Sequence, residues 1–458
     1  MKIKNILIVI LFFCFNTTFS QENIAFYNLR DYVVQGQNYS SIITPKHKVT
    51  VSLPLNVGIG VNTFVSANQL FDKNETTGDL LFNTTRLYDS SKETNLIAYN
   101  LNVNLFNLTV ATNKGGFSLF VNAKHNSHVQ LSKTLLGITN FGINSSISIE
   151  NEKALSTAYT EFGVGYSHSL LKDKLHLGFR AKYLNGHAHA ETDQDGFINL
   201  DLDPQFKTWQ FSSQNAQLRT SGVGLINGDS DFEPITDNTG FALDFSARYQ
   251  LNDKFTFDLS VNDIGSITWK SDLKGYQIAD IAKDQGVFQG IDLNDDDADI
   301  ADEFESIFVT SEGEIDNFTS DLTTQTYFST NYMLDQKHRL SFIYNNFKVF
   351  DDPINTYALG YNLIGSKGTV GLVSSYGGYN EEFKLGMNMV YSIGFWQMYF
   401  STDSLLSLMQ PVEEVNNVNF NFGINFVFGK RASKEKAEKE RHYFEIDYRG
   451  NFILSKKG

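Results

Sequence analysis

Cysteine is nearly missing: Cys14 is the only one in 458 residues, and it falls inside a segment read below as a cleaved leader. A mature chain without it has no disulfide, no thiol nucleophile and no cysteine metal site. Proline is scarce, six in all, which excludes extended Pro-rich linkers. No segment reaches about 18 consecutive apolar residues, so no transmembrane helix is expected. Positive charge is in deficit, with 37 Lys and Arg against 52 Asp and Glu and a formal net charge of −15. Such a chain repels a phosphate backbone, which argues against nucleic acid as a partner. A phosphate-binding glycine loop is missing too, since the Gly115-Gly116 pair belongs to a turn.

Aromatics, by contrast, are abundant: 39 Phe and 21 Tyr, with Trp bringing the share to 14%. Hydrophobic residues make up 41% and the mean hydropathy is −0.25. That is too polar for a bundle of membrane helices and fits a barrel whose two faces alternate. Residues 1–20 read as a signal peptide: Lys2 and Lys4, an apolar centre over residues 6–15, and Ser20 before Gln21. Its removal leaves 35 basic against 52 acidic side chains and moves the formal charge to −17.

The organising stretch is residues 49–65. Val49, Val51, Leu53, Leu55, Val57, Ile59 and Val61 alternate with Thr50, Ser52, Pro54, Asn56, Gly58, Gly60 and Asn62. Successive strand residues face opposite ways, so one wall is aliphatic and the other small and polar. The run outlasts the usual globular strand of about 5–6 residues and suits a membrane-crossing strand of about 9–11. Val418, Phe420, Phe422, Ile424, Phe426 and Phe428 repeat the pattern against Asn419, Asn421 and Asn425. First and last strands must meet in lipid, where no open edge survives. Pro54 cannot donate to a ladder, so full pairing is expected from about Leu55, with residues 49–53 as a lead-in or bulge.

Between these ends, alternating segments pair about short turns at residues 113–116, 172–174, 252–253, 335–337, 365–368 and 393–394. A slip of phase from Leu105 to Phe106 marks a bulge. The fold class is therefore an all-β, antiparallel transmembrane barrel of about fourteen strands over residues 49–429. Short turns follow even strands. Long loops, over residues 67–94, 131–156, 191–238 and 271–322, follow odd ones. That segregation is the outer-membrane pattern, short side periplasmic. Residues 21–48 are expected to be a periplasmic or plug segment, and residues 430–458 a charged periplasmic tail. Within the tail, residues 432–441 are expected to be helical and residues 444–454 a small hairpin. Two short segments, 198–203 and 207–211, are expected to extend neighbouring strands above the membrane.

Chemistry is thin. Asp292, Asn294, Asp296 and Glu303 occupy the first, third, fifth and twelfth positions of a calcium loop. The sixth position, Asp297, should be Gly, so loose collection of divalent cations is expected and no resident cofactor. Glu191, Asp193, Asp195 and Gly196 match less well, with Leu202 at the twelfth position. His187 and His189 continue the outward face of Leu175, Leu177, Phe179 and Tyr183, and are expected at the outer rim, pointing out. His125-Asn126-Ser127 supplies no activating geometry, so no enzyme is expected. The lumen reads as mainly neutral and Asn-rich, with Arg180, Lys182 and Asp258 its main charges. Leu135, Leu136, Ile138 and Phe141 make the second long loop apolar enough to fold into the barrel mouth and line a pocket. These four, with Arg180 and Lys182, are the candidate ligand-binding residues.

Several motifs carry a resemblance. They are Phe162-Gly163-Val164-Gly165-Tyr166, Lys174-Leu175-His176-Leu177-Gly178, Lys182-Tyr183-Leu184-Asn185-Gly186 and residues 261–270, Val261-Asn262-Asp263-Ile264-Gly265-Ser266-Ile267-Thr268-Trp269-Lys270. Over residues 26–428 the chain resembles a Bacteroidetes family of outer-membrane barrels. That family is similar to the long-chain fatty-acid transporters and to the attachment barrel of type IX secretion. The resemblance implies passive passage of a small hydrophobic molecule across the outer membrane. The alternative is a non-transporting scaffold that docks a periplasmic or secretion-system protein through the tail. Implied partners also include outer-membrane lipids. The transporters' Asn-Pro-Ala element has no counterpart here, where the chain reads Gln37-Asn38-Tyr39-Ser40-Ser41, and no functional residue carries over.

Overall fold

A computed structural model describes residues 23–44, 47–73, 80–141, 147–150, 152–192, 196–203, 208–214, 216–222, 235–278, 287–288, 310–313, 315–350, 352–430, 445–446 and 452–453. Residues 1–20, expected as a signal peptide, the acidic positions Asp292, Asn294, Asp296 and Glu303, and tail residues 432–441 lie outside them.

Fourteen strands close on themselves. In order they are β1 in two pieces (His47–Ser52 and Asn56–Asn62), β2 (Thr94–Thr112), β3 (Gly115–Ser132), β4 (Lys153–Leu170), β5 (Leu175–Thr192), β6 (Thr239–Gln250) and β7 (Phe255–Trp269). There follow β8 (Gln325–Met333), β9 (His338–Val349), β10 (Asp352–Ile364), β11 (Gly368–Gly377), β12 (Glu382–Ile393), β13 (Trp396–Thr402) and β14 (Asn417–Lys430). Each pairs antiparallel with its neighbours, and β1 closes the ring by pairing with both β2 and β14. Phe117, Val164, Phe241, Leu359, Leu372, Phe383 and Phe428 stand exposed on the outside while Ser118, Arg180, Asp244, Asn362, Asn388 and Asn425 are buried within. An apolar band around a closed polar-lined sheet is a surface for lipid. Among the described residues no helix is long and apolar enough to cross a membrane.

The seam corrects one expectation. Residues 49–52 are no lead-in: Val49 pairs with Phe428 on one side and Val110 on the other. The break falls at residues 53–55 instead. Ser52 faces Asn425 and Val57 faces Phe422, so β1 has two residues more than β14 across this stretch. Proline's missing N–H is thus absorbed in an excursion. The Asn56 side-chain amide fills the interruption, donating to Ser52 Oγ at 2.6 Å, to the Leu53 carbonyl at 3.0 Å and to the Ile424 carbonyl at 3.1 Å. Gly423 makes room for it, since a Cβ there would lie 1.9 Å from Asn56 Oδ1. The slip in β2 is a register shift between Asn104 and Phe106, beside the same break.

Turns after even strands span two to four residues, as expected. Two odd connections are short as well, at residues 350–351 and 378–381, so the outer rim is low over β9–β12. Over β5–β8 the wall rises: Gln217–Ser221 pairs with β5 and with Leu273–Ile278, which pairs with Thr310–Gly313. Phe197–Asp203 and Thr208–Gln214 do form a hairpin, but it extends no barrel strand. It joins Ile147–Ile149 and Val287–Phe288 in a separate four-stranded sheet, because its edges find partners in other loops. In the tail, Glu445–Ile446 pairs with Phe452–Ile453.

His189 is also corrected. It is buried, stacked on Trp269 with centroids 4.8 Å apart, and does not face lipid. Tyr159 pairs with Gly186 and Ala158 with Ala188, so His187 is an extra residue in β5. One bulged residue reverses the alternation beyond it, and His189 turns inward.

Candidate functional site

Residues 23–44 lie inside the barrel. They comprise a helical turn (Ile24–Tyr27), a 3-10 turn (Val34–Asn38) and connecting loops, nearly all buried. The segment is anchored by hydrogen bonds around the ring. Gln35 reaches Ser52 of β1, Asn104 of β2 and Asn425 of β14. Asn122 of β3 donates to Asn38, and the Ile43 N–H donates to Ser167 of β4. The Ser41 N–H donates to Ser246 of β6, Asn262 of β7 donates to the Tyr39 carbonyl, and Asn28 donates to Asn362 of β10. Near Asn23, Asn421 of β14 donates to Asn23 Oδ1 at 2.8 Å, and Asp403 accepts from the Ile24 and Ala25 amides. Alternate inward positions rich in Asn and Ser are what let this plug pair with the wall on almost every side.

Charge is more plentiful in the lumen than the sequence suggested. One cluster lies against the plug. Arg30 meets Asp258 at 2.9 Å, Arg248 bridges Asp258 at 2.5 Å and Asp31 at 2.6 Å, and Arg339 approaches Asp31 at 3.4 Å. Burial alone would raise the Asp31 carboxyl, but Arg248, Arg30 and Arg339 hold it well below the usual carboxylate range. A second cluster takes in the candidate residues Arg180 and Lys182. Lys182 lies 2.6 Å from both Asp244 and Asp263, Lys124 lies 3.0 Å from Glu161, and Arg180 lies 3.5 Å from Asp244. Three cations and three anions balance. Arg180 also donates to the Gln37 carbonyl at 2.6 Å and lies 3.7 Å over the Phe120 ring. Both candidates are held in buried ion pairs, and Arg180 is held by the plug as well.

Asp263 illustrates what periodicity misses. It sits at φ 62° in β7, where the register with β6 shifts, so it points inward beside its neighbour Asn262. Glu161 and Asp244 were legible in principle, since both occupy the inward phase of strands already assigned. The second long loop is described over its first part. Lys133–Phe141 is a helix, and Leu136 joins Val65 and Leu87 in a small core with Phe64, Leu70 and Leu131. Leu135 is half-buried on the same helix. Leu136 is thereby packed against the β1–β2 connection. Ile138 and Phe141 belong to this helix, but their side chains lie outside the described residues.

One feature of the inner wall was not anticipated. Tyr327, Ile343, Ala358, Val373, Val390 and Tyr399, one from each of β8–β13, face inward and are buried. They form a single cluster with Ile24, Ala25, Phe26, Tyr27 and Leu29 of the plug. Tyr27 stacks on Tyr327 at 4.5 Å and Phe26 lies 5.3 Å from Tyr399. On β1 Asn62 is fully buried with neither amide atom paired, and on β2 Asn100 and Asn102 each keep an unpaired oxygen. An outer cavity of about 750 Å³ lies at the low rim, touching Leu96, Gln130, Ile354, Tyr379 and Asn416. Lys92 and Thr63 reach the β11–β12 tip there through Asn380.

No curated protein matches the sequence. Among solved structures the chain is similar to the Pseudomonas putida toluene transporter TodX, at 8% identity and a TM-score of 0.39 over 87% of this chain and 95% of that one. It is similar to the Ralstonia pickettii toluene transporter TbuX, at 10% identity and 0.40 over 86% and 93%. It is also similar to a mutant of the Rh. blastica porin, at 9% and 0.23 over 83% and 100%. The profile of a family of unknown function, DUF5723, matches residues 43–403, and the chain therefore belongs to that family.

Proposed function

We propose that the protein is a passive channel of the outer membrane for small hydrophobic molecules, with residues 23–44 as its gate. The observation that carries this reading is the apolar belt on the inner wall of β8–β13, covered by the chain's own N-terminal segment. A water-filled pore is lined by polar side chains; a belt of Tyr, Ile and Val suits an apolar guest once the plug has moved. The unpaired amide of Asn62 and the unpaired oxygens of Asn100 and Asn102 suit a polar end of that guest, or water. The gate is tethered to β1 at one end, so it can swing without leaving the barrel.

The test locks the segment at Asn23. Asn23→Cys with Asn421→Cys, joined by a short reducible cross-linker, should cut uptake of N-phenylnaphthylamine to the level of protein-free vesicles. Reduction should restore it. Equal uptake locked and unlocked removes the plug as gate. Uptake that never exceeds protein-free vesicles removes transport and favours the second reading.

That second reading is a scaffold, favoured by the ion pairs that clamp the plug at Arg30, Asp31 and Asp258. A docking role would run through residues 430–458. Their deletion should then abolish recovery of a periplasmic partner in pull-downs while leaving flux unchanged.

A further inference from the structure

The outer face of β4–β7 is not uniformly bulky. Ala247 pairs with Leu177 on one side and Leu259 on the other, and leaves a dent among larger neighbours. The groove around it, bounded by Tyr166, Leu170, Phe179 and Phe245, encloses about 490 Å³ and is almost wholly apolar. It begins at the periplasmic edge, where Leu170 borders the β4–β5 turn, and runs past Leu177. At that edge the chemistry changes. Lys172 and Lys174 are exposed on the turn, with Lys114 and Lys254 exposed on the adjoining turns. The Lys114 carbonyl accepts from the Ser169 N–H at 2.6 Å, which fixes the neighbouring turn beside this one. Two acids stand nearby, Asp253 and Asp173, and Asp173 already accepts from Ser169 Oγ at 2.5 Å. Within a chain of net charge −15 this edge is locally basic. His168, bonded to the Tyr166 hydroxyl at 3.1 Å, adds a polar contact between groove and turn.

We propose that this groove and turn form a binding site for one anionic glycerophospholipid of the periplasmic leaflet. An acyl chain lies over Ala247, and the phosphate meets Lys172 and Lys174. Apolar burial holds a chain of any lipid; the lysines select for negative charge at the headgroup. A lipopolysaccharide is not the occupant, because the groove opens at the periplasmic edge.

Native mass spectrometry of the full chain, exchanged into equal phosphatidylglycerol and phosphatidylethanolamine, provides the test. Phosphatidylglycerol should be retained in preference. Lys172→Gln with Lys174→Gln should lower that preference about fivefold for each lysine removed. The same change at Lys337 and Lys367, on the turns of β8–β11, should leave it unaltered. Ala247→Trp should remove one retained lipid whatever its headgroup, and Ala247→Leu should weaken retention less. Heat-modifiable gel mobility reports folding of each variant. If the Lys337 and Lys367 pair matters equally, the effect is diffuse rim charge and the site is refuted. Unchanged retention in Ala247→Trp refutes it as well.

Discussion

Asp258 is a residue whose removal should be felt by two elements at once. It accepts from Arg30 of the plug, from Arg248 of β6 and, at 3.1 Å, from Asn331 of β8. A buried ion pair contributes little net stability, because desolvation opposes attraction, but deleting one partner strands the other. Asp258→Asn leaves the buried Arg30 guanidinium facing a neutral amide, while Arg248 keeps Asp31, so a loss of about 3–5 kcal/mol is expected. Urea unfolding of the refolded barrel measures it. Protease cleavage within residues 23–44 should rise in parallel, since Arg30 anchors that segment. Adding Arg30→Gln should recover part of the loss; a double variant as poor as the sum would show that Arg30 is not the stranded charge. Side chains of this kind were half legible. Arg180, Lys182 and Asp258 could be assigned to the lumen from phase alone, whereas their partners depend on which strands lie side by side at a given height. Arg30 and Asp31 could not be placed at all, because the segment carrying them has no period to read.

Elements were legible to the extent that alternation is unbroken. The strands, the turns about residues 113–116 and 335–337, and the closing of β1 on β14 follow from period two and from the need to pair every backbone group in lipid. Errors gathered where one residue was inserted. His187 is the clearest case, since extrapolating the outward face of Leu177 and Phe179 past it put His189 in lipid. Deleting His187 should restore the simple alternation, swing His189 and Glu191 outward and take the stacking partner from Trp269. Acrylamide quenching of tryptophan should then increase, and the folded gel band should disappear at a lower temperature. His187→Ala keeps the extra residue, so both readouts should stay near those of the parent. A deletion that behaves like the substitution would mean that the bulge does not set the phase. Pro54 misled in the opposite direction. It pointed to a late start for β1, but its strand pairs on both sides of the interruption because Asn56 supplies the missing amide contacts.

At the scale of the whole molecule, the two ends of the barrel differ in loop length and in charge, and both differences bear on its orientation. Connections after even strands run two to four residues, and among them Lys114, Lys172, Lys174, Lys254, Lys337 and Lys367 are all exposed. Connections at the other end include residues 63–93 and 193–238, and carry much of the acid that makes the chain −15 overall. Outer-membrane barrels keep their short turns in the periplasm, so the lysine-rich end should be shielded from reagents that cannot cross the envelope. Asp89 is exposed on the helix Thr84–Ser90 of the β1–β2 connection, and Ser366 is exposed in the β10–β11 turn. Cys14 is the only native cysteine, so replacing it where it persists gives a clean background. A membrane-impermeant maleimide on intact cells should label Asp89→Cys and leave Ser366→Cys unmodified, and lysis should make the two equal. Label at residue 366 alone would invert the barrel. The lysine-bearing turns would then face the medium, and the periplasmic lipid site argued for β4–β7 would lose its leaflet.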